Sequence, residues 1–86
     1  MNIKFTKHAK ERAIQRGATK QEIENVLLAG IESLAKGNKK SKDMVFEYNR
    51  EWLGKIYPQK KIKVIYVKER NDIIIITVKV FYGEWR

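Results

Sequence analysis

His8, Arg12 and Arg16 recur four residues apart in the segment Thr6-Lys7-His8-Ala9-Lys10-Glu11-Arg12-Ala13-Ile14-Gln15-Arg16-Gly17. On a helix this spacing stacks them in one file on one face. An imidazole exchanges a proton near neutral pH. A guanidinium holds a phosphate through two parallel hydrogen bonds. A base and an anion clamp in one file are the minimum set for opening a phosphodiester without a metal. The chain has one histidine, and its five arginines stand against fourteen lysines. Two of those few arginines therefore share a stripe with the only imidazole. Arg16, at the end of the helix, could equally stabilise its C-terminus through the dipole.

The elements that must position this file are legible around it. Thr6 is a suitable N-cap for a helix over residues 7–16, and Gly17 stands where a left-handed cap is wanted. Thr19-Lys20-Gln21-Glu22 forms a capping box that starts a second helix, ended by Gly30. Ile23, Val26 and Leu27 give that helix a buried face, while Ala9, Ala13 and Ile14 give the first a small apolar side.

The rest of the chain reads as strands. Residues 31–35 are a short, weak one, and residues 37–43 are expected to be a lysine-rich loop able to follow a phosphate backbone. Met44–Asn49, Trp52–Tyr57, Ile62–Lys68 and Ile73–Tyr82 are rich in aromatic and β-branched residues. Turns are expected at Pro58-Gln59-Lys60 and Arg70-Asn71-Asp72. Connections this short imply antiparallel pairing. In the last strand, alternation predicts Ile74, Ile76, Val78 and Val80 beneath the helices. Ile73, Ile75, Thr77, Lys79 and Phe81 face the other way. Thr77 and Lys79 in the middle of that second face suggest a surface used for more than packing. Trp52, Trp85, Tyr57, Tyr66 and Tyr82 could stack bases, although aromatics in so small a core serve packing first.

Composition bounds the alternatives. At 86 residues the chain is one domain, residues 1–86, with a modest core. It has no cysteine, which excludes disulfides and thiolate metal sites. One histidine and no tight acidic cluster argue against a metal, and no cofactor is expected. Residues 1–10 are polar and basic, unlike a secretory signal. No window approaches the roughly 20 apolar residues of a membrane span. A cytoplasmic protein is expected. The net charge is +9, from 19 basic against 10 acidic residues, and the pI is near 9.9. Abundant lysine, glutamate and isoleucine also fit a thermophile, but a thermophile surface usually balances its signs. The asymmetry favours a polyanionic partner, RNA first.

The run His8-Ala9-x-x-Arg12-x-x-x-Arg16-Gly17, the helix after it and the terminal Ile76-Thr77-Val78 resemble the small prokaryotic family catalogued as domain of unknown function 4258. That family is similar to the barnase–EndoU–colicin–RelE group of metal-independent RNases, many of them toxins. The resemblance implies an α+β fold, with two N-terminal helices on one face of a four- to five-stranded antiparallel sheet. It also implies His8, Arg12 and Thr77 as active-site positions. Together with the residues' own chemistry this gives a metal-independent endoribonuclease, with an acidic antitoxin as a further partner. His8 would be the base and Arg12 the phosphoryl clamp, with Arg16 and Lys79 on flanking phosphates. The alternatives are a non-catalytic RNA- or DNA-binding module, or an interaction domain for an acidic protein.

Overall fold

Thr6 accepts a hydrogen bond from the Ala9 amide at 3.1 Å and starts helix α1, Lys7–Arg16. Gly17 ends it in the left-handed region at φ 81°, and the Gly17 and Ala18 amides close onto the Ile14 and Ala13 carbonyls. Only glycine fits there. A Cβ would also lie 2.5 Å from the Tyr82 hydroxyl. Thr19 and Glu22 exchange both capping-box bonds, at 3.1 and 3.0 Å, and open helix α2, Lys20–Ala29. Lys42 donates to the Leu27 carbonyl at 2.7 Å, supplying a cation where the end of α2 is electronegative.

The computed structural model describes residues 2–86, and its strands form one five-stranded sheet. They are β1 (Asn2–Phe5), β2 (Ile31–Leu34), β3 (Lys40–Trp52), β4 (Lys55–Glu69) and β5 (Asp72–Gly83), in the spatial order β1-β5-β4-β3-β2. The pairs among β2 to β5 are antiparallel. β1, which the sequence did not announce, runs parallel to β5, with Asn2 beside Asp72 and Phe5 beside Ile75. The sheet is therefore mixed, and the expectation of a purely antiparallel one is corrected. A strand that leads directly into a helix needs no hairpin partner, so its direction is set by where that helix packs.

Three further expectations change. The chain does not turn at Pro58-Gln59-Lys60, and β4 runs straight through these residues. It turns at Leu53-Gly54, a two-residue hairpin loop with φ 51° and 86°, the primed geometry that suits strand twist. Pro58 is tolerated because Tyr48 and Asn49 together oppose it in a bulge between the Glu47–Gln59 and Arg50–Tyr57 pairs. A residue without an N–H belongs at such a break in the ladder. Residues 40–43 are the start of β3 rather than a loop, and Lys42 caps α2 instead of tracking a phosphate backbone.

One buried cluster joins Ala9, Ala13, Ala18, Ile23, Val26 and Leu27 with Ile62, Val64, Tyr66, Ile73, Ile75 and Val78. On β5 the inward set is thus Ile73, Ile75 and then Val78. The predicted row of Ile74, Ile76, Val78 and Val80 is broken in its middle, and Ile74 and Ile76 stay partly exposed. The cause is a register shift: Ile65 pairs with Thr77 and Tyr66 with Ile75, which leaves Ile76 as an extra residue. One inserted residue exchanges the faces of everything on one side of it.

Candidate functional site

α1 takes over the edge of β5 where β1 stops. The Thr6 amide bonds to the Ile75 carbonyl at 3.1 Å, and the Thr6 hydroxyl donates to the Ile76 carbonyl at 3.3 Å. At the other end of the helix, Arg16 Nη1 donates to the Val78 carbonyl at 2.8 Å. Thr77 lies between two of these three carbonyls, those of Ile76 and Val78. A spacing of four turns each residue a further ~40° about the helix axis, so Arg12 and then His8 stand progressively off the side that Arg16 presents to the strand. His8 is exposed; Arg12 is half-buried, with Nη1 3.3 Å from Gln15 Oε1. Thr77 is half-buried opposite Ile65, and Lys79 is exposed opposite Lys63.

The file therefore touches the strand at one point, Arg16 on the Val78 carbonyl, one residue past Thr77. Arg16 is partly committed to the backbone, so only the rest of its guanidinium remains for a ligand. Thr77, paired with Ile65, stands on the face turned away from the core, next to the bulge at Ile76.

That outward face carries more charge than the sequence reading assigned to it. In register across β3, β4 and β5 stand Val45, Lys61 and Phe81, then Asp43, Lys63 and Lys79. Lys61 Nζ sits 5.6 Å from the centre of the Trp85 ring. The Trp85 amide donates to Gln59 Oε1 at 2.7 Å, and Gln59 Nε2 donates to Glu47 at 2.8 Å. Glu47 also pairs with Arg86, and the bonds from Gln59 and Arg86 hold its carboxyl below the usual range. Asp43, Lys61, Lys63, Lys79, Phe81 and Trp85 line a shallow depression of about 370 Å³. Lys61 and Lys63 were missed in the sequence. Their signal was alternation, lysine against Ile62 and Val64 through residues 61–64.

On the core side an aromatic cluster fixes the end of α1. Tyr82 donates to the Arg16 carbonyl at 2.7 Å and stacks on Trp52, the ring centres 4.7 Å apart. Burial, with Tyr48 and Glu22 nearby, pushes the Tyr82 phenol up to about 12. Tyr66 donates to Glu32 at 2.8 Å, and burial followed by that bond raises its phenol to about 12. Among the described residues no three His, Cys, Asp or Glu side chains gather as metal ligands. None of the described helices is long and apolar enough to cross a membrane.

Two capped helices and a five-stranded mixed sheet define an α+β protein whose first helix lines its last strand. The family model described as "Domain of unknown function (DUF4258)" matches residues 5–80, and the chain belongs to that family. The matched span runs from the end of β1 to Val80, so it takes in His8, Arg12, Arg16, Thr77 and Lys79. No curated protein and no solved structure matches the chain.

Proposed function

We propose that this protein is a metal-independent endoribonuclease whose site lies where α1 meets the middle of β5. One observation supports the reading: Arg16, the last residue of the file, bonds to the Val78 carbonyl, one residue past Thr77. His8 takes the proton of a ribose 2′-hydroxyl. The 2′-oxygen attacks the adjacent phosphorus, the bond to the 5′-oxygen breaks, and that oxygen leaves with a proton from water. The products are a 2′,3′-cyclic phosphate and a free 5′-hydroxyl. Arg12 meets the charge that develops on the phosphoryl oxygens. Thr77 donates a hydrogen bond to the same phosphate. Lys79 and the remaining N–H groups of Arg16 hold its neighbours. In this reading both helices share the core face of the sheet, as in the RelE- and barnase-type RNases. The protein acts in the cytoplasm as the toxin of a pair whose antitoxin is acidic.

The test is cleavage of mixed-sequence RNA by purified protein in EDTA. Wild type yields 2′,3′-cyclic ends, and His8→Ala, a change at an exposed position, loses about 10²–10⁴-fold in rate. A substrate with deoxyribose at the cleavage site survives. Intact RNA with wild type, or His8→Ala cutting at the wild-type rate, ends the proposal.

A second reading has its own support. The lysines and aromatic rings of the outward face serve a binding module equally well without chemistry. The cyclic-phosphate product separates the two.

A further inference from the structure

Lys63 and Lys79 are direct cross-strand partners on the outward face of β4 and β5. Directly opposed side chains have Cβ atoms about 4.5–5.5 Å apart, and like charges so placed destabilise the sheet. Among the described residues no carboxylate forms an ion pair with either lysine. Among the described residues the ion pairs are Lys4–Asp72, Lys60–Glu22, Arg86–Glu47 and Arg86–Glu84. Lys61, Lys63 and Lys79 belong to none of them. Asp43, the one acid of the depression, stands on the far side of Lys63 from Lys79.

The same depression has an aromatic wall. Phe81 and Trp85 are 48% and 40% exposed, well above a packing role for rings of that size. Trp85 is also held in place: its backbone bonds to Gln59, which bonds to Glu47. A pre-positioned ring beside uncompensated ammonium groups is what a single-stranded nucleic acid uses, bases stacking while the backbone threads the charge.

We infer that this face is a track for single-stranded nucleic acid, with one phosphate seated between Lys63 and Lys79 and one base stacked on Trp85. The track starts at Thr77 and continues through Lys79 and Phe81, about 14 Å along β5 at ~3.4 Å per residue. It extends the proposed cleavage site along β5 and takes only the ligand class from that reading. Geometry alone favours RNA and DNA equally here. Nothing on this face reads a 2′-hydroxyl, so the track supplies affinity and the α1 end supplies the choice of RNA.

Labelled decathymidylate tests the track without cleavage, because it has no 2′-hydroxyl. Wild type binds it, with affinity falling steeply between about 50 and 200 mM salt. Binding quenches tryptophan fluorescence, and Trp85→Phe, which leaves Trp52 as the remaining indole, abolishes the quench. The Lys63→Gln/Lys79→Gln variant lowers the log–log salt slope by about 0.7, the value for the one phosphate seated between the two lysines on a single strand. It also melts at a higher temperature than wild type at low salt, since the opposed charges are gone. A slope unchanged in the double variant, an unchanged quench in Trp85→Phe, or no binding at low salt each overturns the track. Equal competition by decaglutamate at matched charge assigns the face to an acidic protein and overturns it too. The two proposals fail separately. Loss of cleavage in His8→Ala with an unaltered Lys63→Gln/Lys79→Gln slope leaves the nuclease and removes the track. Binding as described with no cleavage by wild type leaves the track and removes the nuclease.

Discussion

Lys60 Nζ, on the buried face of β4, reaches Glu22 Oε1 at 3.0 Å and the Gly17 carbonyl at 2.8 Å. One ammonium thus ties the end of α1, the first turn of α2 and the sheet together. Lys60 is 5% exposed and Glu22 22%. Glu22→Gln keeps the capping box, since glutamine serves at that position, but strands the Lys60 charge. The expected loss is about 2–3 kcal/mol in denaturant unfolding, below the ~3–5 for a fully buried pair. Adding Lys60→Met removes the stranded charge and recovers part of that loss. A loss under 0.5 kcal/mol for Glu22→Gln, against the ~1 kcal/mol scale of ordinary mutations, refutes the tie.

The two arginines of the file should separate in their effects. Arg16→Ala leaves the Val78 carbonyl at the strand edge without its charged donor and costs about 1.5–3 kcal/mol of stability. Arg12→Ala gives up only an exposed contact to Gln15 and changes stability by about 0.5 kcal/mol or less. On the nuclease reading Arg12→Ala loses rate all the same. Melting curves alongside cleavage rates read both, and equal destabilisation by the two contradicts the assignment.

Leu53 holds φ 51° at the tip of the β3–β4 hairpin and is 88% exposed. A leucine there carries left-handed backbone strain, which asparagine before glycine relieves. Leu53→Asn is expected to raise stability by about 1 kcal/mol, read as a higher denaturation midpoint at unchanged m-value.

Tyr66 and Tyr82 ionise near 12 in the folded protein, against about 10 in the unfolded chain. The folded state favours the protonated phenols. Their contribution is therefore complete below about pH 10 and is lost as pH rises toward 12. Tyrosinate absorbance during alkaline titration checks this. Glu32→Gln removes one cause of the Tyr66 shift and moves that phenol's titration downward.

Both helices were legible in the sequence because their boundaries are written locally. Thr6, Gly17, Thr19, Glu22 and Gly30 each act within a few residues of themselves. The sheet was harder wherever a partner strand decides. β1 is four residues long, too short to show a period, and its pairing lies about seventy residues away. Pro58 reads as a turn until a bulge in β3 is placed opposite it. Five hydrophobic residues run from Ile73 through Val78, interrupted only by Thr77, and nothing in that run marks Ile76 as the inserted one. Of the residues proposed to act, His8, Arg12 and Thr77 were visible by spacing and resemblance. Lys79 was visible by strand alternation, and Lys63 gained meaning only when the register set it opposite Lys79.

The parallel pairing of β1 with β5 joins residues 2–5 to residues 72–75. α1 finds the carbonyls of Ile76 and Val78 only after β5 has been made. Contacts of such long sequence separation form late and slow folding. A nascent chain that has displayed His8 and Arg12 but not yet Thr77 has no assembled site. On the nuclease reading, an activity directed at RNA therefore waits for β5.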